Sequence, residues 1–100
     1  MNLNLNFDIR FQKLNDEQKQ AVTTIYGPVM VVAGPGSGKT ELLSMRVANI
    51  LRQTDVQANN ILCLTFTDAA TKNMQERLSK IIGVKAFFCW YFYISFFYFF

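Results

Sequence analysis

Residues 33–40 read Ala33-Gly34-Pro35-Gly36-Ser37-Gly38-Lys39-Thr40, and their flanks constrain the fold more than any other feature of the chain. The run over 29–33 is unbroken, apolar and rich in Val. It is too short for a buried helix and predicts a strand covered on both faces. A helix is expected over 39–52, with Leu43, Val47, Ile50 and Leu51 as its apolar stripe and Glu41, Asn49 and Arg52 facing water. After a polar loop, residues 61–65 predict a second strand. Thr67 or Asp68 can then cap a further helix, with Ala70, Met74, Leu78 and Ile81 on one face and Gly83 at its end. Ahead of the glycines, a helix over 15–24 starts at Asn15, a favoured N-cap, and Gln18 stands three residues on as in a capping box. Strand, glycine loop, helix, strand, helix is a βαβα series, and two parallel strands joined this way need a crossover helix. The fold class is α/β. Two strands do not bury both faces of a parallel sheet, so the inventory is incomplete.

Composition narrows the chemistry. One hundred residues make one small domain at most. The formal charge of +3 permits a nucleic-acid partner without requiring one. The absence of His and of a CxxC pair argues against a zinc site and against histidine-based catalysis. Residues 1–7 carry no basic start and no apolar run, which predicts no export signal and a cytoplasmic location. Both cysteines are then thiols, and Cys63, inside an apolar strand pattern, is expected to be buried and structural.

The glycine loop has a chemical reading. Glycines let the backbone turn through positive φ and bring several N–H groups toward one point, and a helix N-terminus adds partial positive charge. Lys39 can reach the β- and γ-phosphates of a nucleoside triphosphate, and the Thr40 hydroxyl can ligate Mg²⁺. This is the P-loop pattern G-x-x-x-x-G-K-[ST] with Ala33 in place of the first Gly. The dinucleotide pattern G-x-G-x-x-G fails, because Lys39 occupies its last position. Ala33, Gly34, Pro35, Gly36, Ser37, Gly38, Lys39 and Thr40 are therefore the candidate ATP-binding residues. Lys39 and Thr40 are the candidate catalytic pair.

About 15 residues upstream stands Leu14-Asn15-Asp16-Glu17-Gln18-Lys19-Gln20-Ala21-Val22, and downstream Thr65-Phe66-Thr67-Asp68-Ala69-Ala70 precedes Met74 and Arg77. With the glycine loop, these segments resemble the N-terminal part of UvrD/Rep-type superfamily 1 DNA helicases. The resemblance implies a partial, incomplete RecA-like P-loop NTPase domain built on a parallel βαβ core. It also implies ATP and Mg²⁺ as cofactors, single-stranded DNA as partner and translocation from 3′ to 5′. By the same resemblance Gln18 belongs to the adenine-recognising Q motif; the alternative is that it only caps its helix. Thr65, Phe66 and Thr67 match the motif Ia that lies against DNA. Phe66 could stack on a base and the two hydroxyls could bond phosphates, or the same residues could be a core aromatic and a cap. Asp68 and Ala69 stand where the motif usually has Asn and Lys, which weakens a phosphate contact. No Asp-Glu pair follows a later apolar run, so the carboxylates that hold the metal and orient water are missing. The polypeptide is expected to be a catalytically incomplete fragment without helicase activity.

Residues 86–100 differ from the rest: they hold eleven of the fifteen aromatics. Their density shows neither a helical stripe nor alternation, and divides the chain into a helicase-like part, 1–85, and an aberrant tail, 86–100. Fifteen residues fall short of the ~20 a membrane-spanning helix needs, so no stable membrane partner is expected. A shifted reading frame accounts for the composition. The alternatives are a non-catalytic nucleotide- or DNA-binding module, or a small membrane-anchored P-loop protein.

Overall fold

Local capping decides where the helices of the computed structural model begin. The structure describes residues 3–32, 34 and 38–93. Asn15 accepts from the Gln18 amide at 2.8 Å while the Gln18 side chain accepts from the Asn15 amide at 2.9 Å, a complete capping box. Asp16 and Glu17 place negative charge where the helix dipole is positive. The helix so started, α2, spans Asp16–Thr23. Ahead of it lies a helix that the residue pattern did not announce, α1, Leu3–Gln12. Its alternating Asn and Leu carry no helical stripe, but Phe7 is buried and stacks on Phe11 one turn later, ring centroids 5.8 Å apart. Arg52 lies over the Phe7 ring at 4.0 Å.

The long helices follow. Helix α3 spans Lys39–Gln53, and α4 spans Asp68–Ile82 with Thr67 as its N-cap, accepting from the Ala70 amide at 3.0 Å. Gly83 ends α4 at φ +75°, a conformation that costs an L side chain energy. Met74, Leu78 and Ile81 of α4 are buried as expected, while Ala70 is exposed.

The buried face of α3 is rotated from the predicted one. Leu42, Ser44, Met45, Ala48 and Asn49 are buried, and Leu43 is exposed. Two polar residues can enter because each finds a partner. Asn49 donates to the Val22 carbonyl at 3.1 Å, and Ser44 donates to the Thr40 carbonyl at 2.7 Å. Met45, Val22, Leu78 and Ile81 then form the centre of the core.

The sheet also departs from expectation. Residues 29–32 are not in a strand, and Met30 and Val32 are 90% and 91% exposed. A strand exists only by pairing, and among the described residues nothing pairs with this run. Strand β1 is Leu62–Thr65, and its neighbour β2 is Trp90–Tyr93, inside the aromatic segment where no strand was predicted. They run parallel, with Leu62 opposite Trp90 and Leu64 opposite Phe92. The βαβ unit is thus β1–α4–β2, with α4 packed on both strands. A turn of 3-10 helix, Gly83–Phe88, leads into β2 and buries Ala86, and Cys89 follows it into the core. Tyr91 donates its hydroxyl to the Ala86 carbonyl at 2.6 Å, and the Trp90 indole N–H bonds the Asn59 carbonyl at 2.9 Å. Packing therefore continues past residue 85 without a break. The described part is α/β, mostly helical, with a small parallel two-stranded sheet.

Candidate functional site

The α2 capping box does more than start a helix. Its Gln18 carbonyl oxygen accepts from the Asn15 amide, and the same side chain carries the amide nitrogen Nε2. That nitrogen lies 3.9 Å from the point a Cβ would occupy on Gly38. Gln18, 20 residues earlier in the sequence, thus sits against the end of the glycine loop.

Gly38 is the N-cap of α3 at φ +77°, and it offers no side chain to the free amides of the first turn. Lys39 and Thr40 are the first two helical residues; Lys39 is exposed and Thr40 half-buried. Gly34 is exposed. Ala33, Pro35, Gly36 and Ser37 lie outside the described residues.

The third residue of α3, Glu41, was expected to face water and does not. Arg10 Nη1 bonds both its oxygens, at 2.9 and 3.0 Å, and Arg77 Nη1 bonds Oε2 at 3.1 Å. One carboxylate so ties α1, α3 and α4 together. Its partners stand 31 and 36 positions away, so no local pattern could have revealed it. Arg10, Lys13, Leu14, Gln18, Gly38 and Glu41 line an open cleft of about 530 Å³.

Thr65, Phe66 and Thr67 do not line this cleft. They form the tip between β1 and α4. Thr65 and Thr71 share a hydrogen bond of 2.5 Å, and the Thr65 hydroxyl donates to the Thr67 carbonyl at 3.1 Å. The Thr67 hydroxyl accepts from Ala70, so both threonines serve the local turn. The Phe66 ring is 73% exposed. Asp68 pairs with Lys72 at 3.3 Å one helical turn on. Behind the tip, burial and the neighbouring Cys89 push the Cys63 thiol up to about 11, so it stays protonated and unreactive at neutral pH.

The donor set suits phosphate better than metal. Gly38 leaves the start of α3 open, and Lys39 stands exposed beside it. For Mg²⁺ the described residues would offer only the Thr40 hydroxyl from this helix start, since the nearest carboxylate in the helix, Glu41, is committed to two arginines. No group of three His, Cys, Asp or Glu gathers among the described residues. A magnesium ion here would lean on Thr40 and on the phosphates themselves.

Comparison with known proteins gives the family. The UvrD/REP helicase N-terminal domain family matches residues 14–95, which include the Gln18 cap, the glycine loop, the Phe66 tip and part of the aromatic segment. The chain belongs to the UvrD/REP helicase N-terminal domain family. Among curated relatives, the ATP-dependent DNA helicase PcrA of Staphylococcus aureus (strain Mu50) is 44% identical over 77 residues, 77% of this chain and 10% of the relative. PcrA of Staphylococcus epidermidis (strain ATCC 12228) is 43% identical over 79 residues, 79% of this chain and 11% of the relative. The chain thus spans about a tenth of the length of these relatives. Among the described residues no helix is long and apolar enough to cross a membrane.

Proposed function

We propose that this chain binds ATP through the glycine loop and the start of α3, as the nucleotide-holding part of a UvrD-like DNA helicase motor of the cytoplasm. The reading rests on one observation: the capping box sets the Gln18 amide against Gly38, immediately before Lys39 and Thr40. The amide nitrogen is a donor and the oxygen, which already accepts from Asn15, keeps a second lone pair, and this pairing suits the edge of adenine. Main-chain amides of residues 34–40 would hold the phosphates, with Ala33 closing the preceding segment. Lys39 would neutralise the β- and γ-phosphates, and Thr40 would ligate Mg²⁺. On this reading residues 29–33 form the P-loop strand of a RecA-like domain once a neighbouring strand pairs with them. Thr65, Phe66 and Thr67 would meet single-stranded DNA, Phe66 by stacking and the start of α4 by its amides.

Binding is proposed without turnover by this polypeptide. Hydrolysis needs a carboxylate for the metal and a group that orients water. The one Asp-Glu pair in the sequence, Asp16-Glu17, is spent at the start of α2. Translocation, in the family's 3′ to 5′ sense, would belong to the longer motor.

Titration with a fluorescent ATP analogue tests the assignment. Lys39→Ala should lower affinity at least about tenfold, since a charge-assisted bond contributes roughly 1.5–3 kcal/mol. An unchanged affinity would refute it. In the same preparation Phe66→Ala should weaken binding to an oligo-dT strand by about 1–3 kcal/mol if the tip stacks on bases. An equal affinity for the strand would remove Phe66 from the DNA surface.

A further inference from the structure

We propose that Glu41, Arg10 and Arg77 form a charge-setting clamp that makes the start of α3 receptive to a polyphosphate, with the two arginines acting as positioning residues. The inference rests on the ATP reading of the cleft and adds to it.

Glu41 is the third residue of α3, in the first turn. An acidic side chain there is favourable for a bare helix, because it meets the positive end of the dipole. For a helix start that must hold a phosphate the same charge is a fault, because ligand and carboxylate compete for one field. The structure answers this with two guanidinium groups on one carboxylate, at 2.9–3.0 Å and 3.1 Å. The side chains of Arg10, Arg77 and Glu41 keep 25%, 38% and 21% of their exposure, so solvent screens the group only in part. Three side chains together carry one net positive charge. Loss of one arginine makes the set neutral, and loss of both leaves it negative. Arg10 and Glu41 line the same cleft as Gln18 and Gly38, so this balance is felt where the ligand would lie. The three side chains also come from α1, α3 and α4, so the charge is fixed by tertiary packing and not by one flexible loop.

Competition against a bound fluorescent ATP analogue, by ATP and separately by adenosine, tests this on the full 100-residue chain. Arg10→Gln should weaken ATP about three- to tenfold, the effect of losing one net positive charge roughly 10 Å from a phosphate at an effective dielectric near 20 after salt screening. Adenosine, which carries no phosphate, should change less than about twofold. Arg77→Gln should behave alike. Adding Glu41→Gln to Arg10→Gln should restore ATP affinity to within about twofold of wild type, because the set, then Arg77 alone, again carries one net positive charge. Equal losses for ATP and adenosine would assign the clamp a purely structural role and overturn the proposal. Failure of Glu41→Gln to restore binding would overturn it too. Wild type and Lys39→Ala run alongside separate the two levels. If wild type does not bind ATP, the nucleotide reading falls and this inference with it. If wild type binds and Lys39→Ala does not, while Arg10→Gln matches wild type, only the clamp is wrong.

Discussion

The helical cluster and the sheet solve the same burial problem to different degrees. Helices α2, α3 and α4 each present one stripe, and each stripe finds a neighbour: Val22, Met45 and Leu78 are fully buried. The sheet has two faces and covers one. Cys63, Thr65 and Tyr91 alternate toward α4 and are partly buried, whereas Leu62, Leu64, Trp90 and Phe92 are each more than half exposed. On the open face Trp90 and Phe92 stack on each other, ring centroids 6.2 Å apart. A helix needs one partner and a parallel strand needs two, so a short chain completes its helical packing first. The difference explains why residues 29–32 stay outside any strand. They are as apolar as β1, yet a further parallel strand would have to find both a hydrogen-bonding edge and a cover.

If this contrast is right, stability resides almost wholly in the helical cluster. Leu78→Ala should be the most damaging of these substitutions. Leu78 is 0% exposed at the junction of α3 and α4, and such truncations cost about 2–5 kcal/mol. Small domains have only about 5–15 kcal/mol in total. Urea denaturation followed by far-UV circular dichroism should show a midpoint shifted far to lower urea, or no transition at all. A loss below about 1 kcal/mol would mean that the two regions share the load and that the contrast is false.

What could be read from the residues follows the same division. The starts of α2 and α4 were legible because Asn15, Gln18 and Thr67 act on amides three residues away. Gly83 ended α4 for the same local reason. The rotated face of α3 was not legible. Ser44 and Asn49 are polar, and they can be buried because Ser44 meets the Thr40 carbonyl and the Met74 sulfur of α4 and Asn49 meets the Val22 carbonyl of α2. Helix α1 escaped notice because Phe7 and Phe11 are its sole stripe. Strand β2 was hidden because consecutive aromatics show no alternation; inward Tyr91 and outward Trp90 and Phe92 look alike in sequence. The candidate site divides in the same way. The glycines, Lys39 and Thr40 could be listed from spacing, whereas spacing gave Gln18 only as a cap and the family resemblance placed it in the site. The clamp on Glu41 joins three helices and appears only once they pack.

The smallest expected effect sharpens the contrast from the other side. Leu64→Thr exchanges an apolar residue on the open sheet face for a polar one that is also a good strand former. The substitution therefore leaves β-propensity nearly constant and isolates the contribution of burial. Leu64 is 55% exposed, so the area it removes from water is small, and surface changes away from special features stay within about ±0.5 kcal/mol. The same urea titration should place Leu64→Thr on the wild-type curve at low protein concentration. A Leu buried against a cover would instead lose about 1.5–3 kcal/mol on exposure. A destabilisation of that size would show that the outer face is occupied in solution, and that the sheet, like the helices, has found its second partner.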